Sequence, residues 1–227
     1  MTKFSASLAV LGLLGIAAAV PAAANTINLN TGNGSQTYII NADTLNPSEG
    51  GTGIAASVVN PGNLGGGWIN NLTSEWISPS TRQDNKGSET DTGFVTYDVS
   101  FMLPVGFTSP SLNITLAADD WTTISLNSGS IFYTGPTSGQ WTTDTVVPTG
   151  SVAGFVAGLN TLEFIVHNTG NGSSDAGGGP TGLDAQVSVN FTPASAGTPE
   201  PATTVPLALL GLVGGIALYR RRLASNN

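Results

Sequence analysis

Apolar and polar residues alternate along most of the chain between residues 94 and 192. In Phe94–Leu103 every second residue is apolar, beginning with Val95 and Tyr97, and most of the residues between them are polar. A period of two predicts β-strands with one buried face. The same pattern predicts strands at Ser111–Ala118, Thr123–Asn127, Asn160–Asn168 and Leu183–Phe191, and shorter strands at Thr37–Ile40, Ala55–Val59, Ile131–Thr134 and Val152–Val156.

Turn-forming residues separate these runs, as at Pro104–Gly106, Asn127–Gly129 and Gly158–Asn160. Helical periodicity is nearly absent. Many short alternating strands with frequent turns indicate an all-β fold, and we expect an antiparallel, jelly-roll-like β-sandwich. We place the sandwich domain at residues 68–192. Residues 25–67 are expected to be a weakly structured lead-in or edge strands, and residues 193–201 a linker.

The first 24 residues have the pattern of a secretory signal peptide. Lys3 supplies the positive n-region, and Leu8–Val20 is an uncharged apolar stretch of thirteen residues. Pro21 and the three alanines that follow it resemble a signal peptidase site. We therefore expect export and cleavage after Ala24.

The opposite end of the chain predicts a membrane-spanning helix. Residues 202–219 are eighteen residues without a charge, which is just long enough to cross a bilayer. Tyr219 is placed as an interfacial aromatic, and three arginines follow it at 220–222, so the helix would end in the cytoplasm. We assign residues 202–222 to the helix with its arginine stop and residues 223–227 to a cytoplasmic tail.

This C-terminal region resembles the PEP-CTERM sorting signal of Gram-negative bacteria. The resemblance covers about 30 residues and includes a Pro-Glu-Pro motif, an apolar helix and an arginine cluster in that order. It implies recognition by an exosortase, a sorting protease in the membrane, and a final location at the cell surface or in the exopolysaccharide matrix. The residues that carry this resemblance are Pro199, Glu200, Pro201, Arg220, Arg221 and Arg222.

Charge separates the exported part from the termini. Residues 25–198 hold thirteen of the fourteen acidic residues, but only Arg82 and Lys86 of the six basic ones, which makes a formal charge of −11. Such a surface repels phosphate backbones, so we expect no nucleic-acid partner. The chain has no cysteine, which excludes disulfides, thiol nucleophiles and thiolate metal sites.

Several sequence segments within residues 68–192 resemble those of the galactose-binding-like β-sandwich of many carbohydrate-binding modules. They are Ser74–Pro79, Ala117–Trp121 leading into Ile124–Asn127, and Gly158–Asn168, with Gly182-Leu183 opening the last strand. The resemblance implies a sandwich fold, since such segments are typical of the fold more than of the ligand. Fold alone does not establish function.

Asp119 and Asp120 are the candidates for metal binding. Two adjacent carboxylates at a strand end, in an acidic domain, suit Ca²⁺ together with backbone carbonyls, although no cofactor is required. Alternatively, they close a turn through hydrogen bonds to the backbone. A glycosidase pair is a third interpretation, but neighbouring residues of a strand point in opposite directions.

The four tryptophans are candidates for stacking on sugar rings, against the alternative that they pack in the core. Trp121 and Trp141 lie next to predicted loops and are the better binding candidates. Trp76 lies within the segment Ser74–Pro79, which resembles the sandwich fold, and is expected in the core. His167, the only histidine, falls on the outward side of its strand. No catalytic constellation is visible, so we assign no catalytic residue.

The sequence therefore predicts an exported, non-enzymatic protein of the cell envelope or extracellular matrix that binds polysaccharide weakly. The alternatives are a purely structural acidic scaffold of the matrix and, as a third class, a polysaccharide hydrolase. Its expected partners are signal peptidase, an exosortase and extracellular polysaccharide.

Overall fold

The computed structural model describes residues 22–33, 36–45, 52–61, 67–70, 72–79, 93–137, 139–149, 152–169 and 181–194. The apolar stretches at residues 8–20 and 202–219, and the Pro-Glu-Pro motif, lie outside these ranges. No helix within them has the length and apolar character needed to span a bilayer. Residues 23–194 form one compact unit.

The described residues form an all-β fold with two antiparallel sheets. The strands are β1 (Asn25–Asn28), β2 (Ile39–Asp43), β3 (Ile54–Ala55), β4 (Ser57–Val58), β5 (Ile77–Ser78), β6 (Gly93–Leu103), β7 (Thr108–Asp119), β8 (Trp121–Leu126), β9 (Tyr133–Thr134), β10 (Thr145–Val146), β11 (Gly158–Asn168) and β12 (Gly182–Thr192). One sheet, sheet A, has the order β10-β7-β12-β5-β4, and β1 also pairs with β12. The other, sheet B, has the order β3-β2-β6-β11-β8-β9.

Most of the core between the sheets consists of the side chains that the alternation predicts to be inward. Tyr97 of β6, Phe164 of β11 and Leu116 of β7 are completely buried. Register fixes this arrangement, because Phe164 lies opposite Tyr97 on one side and Ile124 on the other. All five long predicted strands are confirmed, each within three residues of its predicted ends.

The short predicted strands agree less well with the structure. The predicted strand Val152–Val156 is wrong, because the structure has no strand there. At the end of this segment a side chain takes the place of a strand partner for Val156: Val156 N donates to Asn160 Oδ1 at 2.9 Å, and Asn160 Nδ2 donates to Val156 O at 2.8 Å. The predicted strand Ala55–Val59 is two short strands, β3 in sheet B and β4 in sheet A, so the chain changes sheets at Ala56.

A second, smaller apolar cluster covers part of the outer face of sheet A. Its buried members are Trp76, Val59 and Ala117, and three partly buried side chains pack against them. Trp76 donates from its indole nitrogen to Ile69 O at 2.7 Å, which satisfies its only polar atom. The prediction that Trp76 is buried is confirmed, but it belongs to this outer cluster. The partly buried members are Trp68, Ile69 and Trp141.

Candidate functional site

The two adjacent carboxylates at the end of β7 hold two different parts of the chain. Asp119 Oδ2 accepts a hydrogen bond from Trp68 Nε1 at 2.8 Å. Asp120 Oδ2 accepts two bonds from Thr169, from the backbone nitrogen and from the hydroxyl, each at 2.6 Å. The peptide bond between the two aspartates is cis. Both side chains are nearly buried, and their hydrogen bonds attach the segments around Trp68 and Thr169 to the end of β7.

This geometry bears on the metal chemistry that the sequence suggests. Calcium takes six to eight oxygen ligands, usually from several carboxylates. Within the described ranges, no group of three or more Asp, Glu or His side chains is placed to hold a metal ion. The calcium site at Asp119 and Asp120 therefore stays a prediction from sequence.

Trp121 belongs to an aromatic row on the outer face of sheet B. Its ring stacks on His167, with ring centroids 3.8 Å apart and an angle of 5° between the planes. Phe94 lies on the other side of His167, at 6.2 Å. The register places these three residues opposite one another on β8, β11 and β6. The stack covers one face of each ring, which reduces the area that Trp121 can offer to a sugar.

Partial burial also affects the histidine of this row. Removal from water disfavours the charged imidazolium and lowers the pKa of His167 below its usual value. His167 is thus biased towards the neutral, stacked form. The sequence correctly predicts that His167 lies on the outward side of its strand. It does not predict the aromatic neighbours of His167, because these depend on the register between strands.

Trp141 packs against the outer face of sheet A, whereas Trp121 lies on sheet B. The structure therefore does not bring the two predicted sugar-stacking residues together. It belongs to a short 3₁₀ helix, Gln140–Thr142, and packs in the outer cluster of sheet A. Its carbonyl accepts a bond from Ile69 N at 3.0 Å. Trp68 and Trp76 pack together beside it, with ring centroids 4.1 Å apart. The contacts of Trp141 are therefore those of a packing residue.

A groove of about 490 Å³ lies on the outer face of sheet A, on the three neighbouring strands β1, β12 and β7. The lining contains no charged side chain, and eight of its nine residues carry an amide or a hydroxyl group. We call these nine residues the amide groove; they are Thr26, Asn28, Asn30, Thr73, Asn113, Thr115, Gln186, Val187 and Ser188.

Strand pairing explains why these residues share one face. Asn28 lies opposite Ser188, and Ser188 lies opposite Asn113, so the three side chains form one row across the sheet. Their apolar neighbours, such as Ile27, point into the core. Thr26 and Asn30 are already engaged, since Thr26 donates to Asn190 at 2.7 Å and Asn30 Oδ1 accepts from Val187 N at 2.9 Å.

Sequence reasoning missed the amide groove, although a signal for it exists. Every second residue in Thr26–Asn30, Asn113–Thr115 and Gln186–Ser188 carries an amide or a hydroxyl group on the outward phase. Those segments lie far apart in the chain, and the sequence predicts the first to be part of a weakly structured lead-in or an edge strand. The pairing of β12 with β1 on one side and with β7 on the other joins them.

A second pocket, of about 420 Å³, lies on sheet B near β2 and includes one acidic group, Asp98. Burial, followed by the charge of Glu163 on the neighbouring strand, raises the pKa of Asp98 above its usual value. Asp98 and Glu163 are register partners, and Ser125 donates a hydrogen bond to Glu163 at 3.0 Å. This pocket therefore differs from the amide groove, whose lining has no titratable side chain.

Comparison of the chain with protein-family models, with curated proteins and with solved structures finds no match. The functional argument therefore rests on the residues and their geometry.

Proposed function

We propose that this protein is exported, sorted to the cell surface through its C-terminal signal, and binds an uncharged polysaccharide in the amide groove without catalysing a reaction. The observation that carries the binding proposal is the composition of the groove. A domain with a formal charge of −11 between residues 25 and 198 has a groove whose nine lining residues are all uncharged.

The chemistry of the lining suits sugars. Amide groups such as those of Asn28 and Gln186 both donate and accept hydrogen bonds, and so do the hydroxyls of Thr115 and Ser188. A sugar hydroxyl group has the same dual character, so neighbouring groups of a glycan can be satisfied along the row. The groove lacks an aromatic platform, which supports weak binding spread over several sugar units.

The cellular location of the protein is proposed from its sequence. The signal peptide, the Pro-Glu-Pro motif and the arginine cluster support processing by signal peptidase and an exosortase in a Gram-negative bacterium. The strands cross between sheets at β6, β7 and β8, which supports a jelly-roll sandwich of the galactose-binding-like kind. Such a protein would reside at the cell surface or in the exopolysaccharide matrix.

Affinity electrophoresis of purified residues 25–194 through gels that contain a neutral or an acidic polysaccharide tests the binding proposal. We expect retardation by neutral polysaccharides only. Gln186→Glu adds a charge and removes donors at nearly constant shape, and each hydrogen bond lost weakens binding by about fivefold. The matched control is Gln36→Glu, which makes the same change in the second pocket and is expected to bind normally.

Three outcomes would contradict the proposal. Loss of retardation in Gln36→Glu alone would move the site to the second pocket. The absence of retardation by any neutral or acidic polysaccharide would favour the acidic scaffold. Release of reducing ends, lost when Asp119 or Asp120 is replaced, would indicate a hydrolase.

A further inference from the structure

One end of the sandwich exposes large apolar side chains. Met102 and Leu159 lie opposite each other in register on the outer face of sheet B, and they are 61% and 62% exposed. Val105, in the turn after β6, is 84% exposed, and Val156, just before β11, is 47% exposed. We call these four residues the apolar tip. Single exposed apolar residues are ordinary, but a group at one end of a domain suggests a contact surface.

The described segments that form this end carry no charge. None of the segments 99–118, 152–162 and 185–194 contains an acidic or basic residue. The nearest acidic residues on the two strands that carry Met102 and Leu159 are Asp98 and Glu163. Glu163 is four positions from Leu159, which is about 13 Å along a strand. This exceeds the screening length of about 8 Å at physiological ionic strength.

The chain also leaves the sandwich at this end. Strand β12 ends at Thr192, which pairs with Thr108 at the start of β7. A Cβ atom placed on Gly106 would lie 3.1 Å from Ala194 Cβ, so the last described residue adjoins the turn that contains Val105. Seven residues, 195–201, separate Ala194 from the apolar stretch 202–219. Seven extended residues span at most about 25 Å.

We propose that the apolar tip rests on the lipid surface of the membrane that holds residues 202–219. This inference depends on the membrane-held state in the proposed function and adds an orientation to it. Contact with lipid removes the apolar side chains from water. It also keeps the acidic residues away from anionic head groups, which would repel them. The amide groove then lies on the side of the sandwich and stays open to a polysaccharide.

The absence of cysteine from the chain makes a direct test simple. Val105→Cys, in the full chain with its signal peptide removed, is labelled with a polarity-sensitive fluorophore and reconstituted in phosphatidylcholine–phosphatidylglycerol vesicles. The matched control is Val146→Cys, because Val146 is also an exposed valine, at 73%, but lies on β10 opposite Thr115 in the middle of β7. Some vesicles carry a lipid-attached quencher. We expect a blue shift and quenching at residue 105, and neither at residue 146.

The outcomes separate this inference from the proposed function. A chain that floats with the vesicles but shows equal, water-like emission at both positions would overturn the tip contact and leave the anchor intact. A chain that does not float would overturn both. A blue shift at residue 105 that grows with the ratio of protein to lipid and ignores the lipid quencher would assign the tip to a second copy and overturn the lipid contact. Polysaccharide binding by residues 25–194 is measured separately and is unaffected by these results.

Discussion

Replacement of Asn160 by alanine should strongly destabilise the sandwich. Asn160 is completely buried at the start of β11. Its Oδ1 accepts hydrogen bonds from Asn127 Nδ2 and Val156 N, both at 2.9 Å. Its Nδ2 donates to Val156 O at 2.8 Å and to Gly158 O at 3.1 Å. One side chain thus holds the loop before β11, which carries Val156 of the apolar tip.

The magnitude follows from these four bonds. At about 1 kcal/mol for each, the loss is about 3–4 kcal/mol in the free energy of unfolding. Such a loss is large against a total stability of about 5–15 kcal/mol for an ordinary domain. With a urea slope of about 2 kcal/mol per molar, the midpoint of unfolding should fall by roughly 1.5–2 M.

Urea unfolding of residues 25–194, followed by tryptophan fluorescence and by circular dichroism, measures this shift. Asn113→Ala is the matched control, because Asn113 is exposed in the amide groove and its loss should cost less than about 0.5 kcal/mol. Equal midpoints for the two variants would refute the reasoning that Asn160 replaces a strand in holding this loop.

Three further predictions follow from other parts of the molecule. Gly182→Ala should cost about 1–3 kcal/mol, measured by the same urea unfolding, because the added Cβ would lie 2.7 Å from Trp68 Cη2 and 3.1 Å from the carbonyl of Ile77, which cannot move freely; an unchanged midpoint would contradict this packing. Burial is the main cause that raises the pKa of the Asp184 carboxyl group above 3.8. The folded state therefore binds this proton more tightly than the unfolded state, which stabilises the fold at low pH. This stabilisation is lost as the pH rises through the raised pKa. Asp184→Asn should therefore remove part of the fall in stability above pH 3.8, and unfolding curves parallel to those of the wild type at every pH would count against it. Mass spectrometry of the mature protein from its native host should find a C-terminus near Pro201, whereas peptides that extend beyond the arginine cluster would reduce the tail to a plain anchor.

The strands of the central sandwich could be predicted because their pattern is local. The inward residues of β6, from Val95 to Leu103, are all buried, and so are those of β7, β11 and β12. Residues 152–156 show the limit of this reasoning, since their apolar character resembles a short strand. There the Asn160 side chain bonds both backbone groups of Val156, and hydrophobic periodicity does not reveal a side chain that takes the place of a strand partner.

The candidate sites could be predicted less well. The sequence identifies Asp119 and Asp120 as a pair at a strand end, but their partners, Trp68 and Thr169, lie about 50 residues away in each direction. These hydrogen bonds join distant segments, whereas the alternative from sequence was the closure of a local turn. Their long-range partners depend on tertiary packing and cannot be derived from the neighbouring sequence.

By itself, the sequence determined the all-β class, the inward residues of the long strands and the concentration of acidic charge between the two apolar ends. These properties depend on the order and type of neighbouring residues, which act over one strand. Only the tertiary structure decided that β1 joins β12 to complete the amide groove, and that the uncharged apolar tip lies where the chain leaves the sandwich. Both are contacts between segments more than 80 residues apart, which arise because strand pairing joins backbones without regard to their distance along the chain.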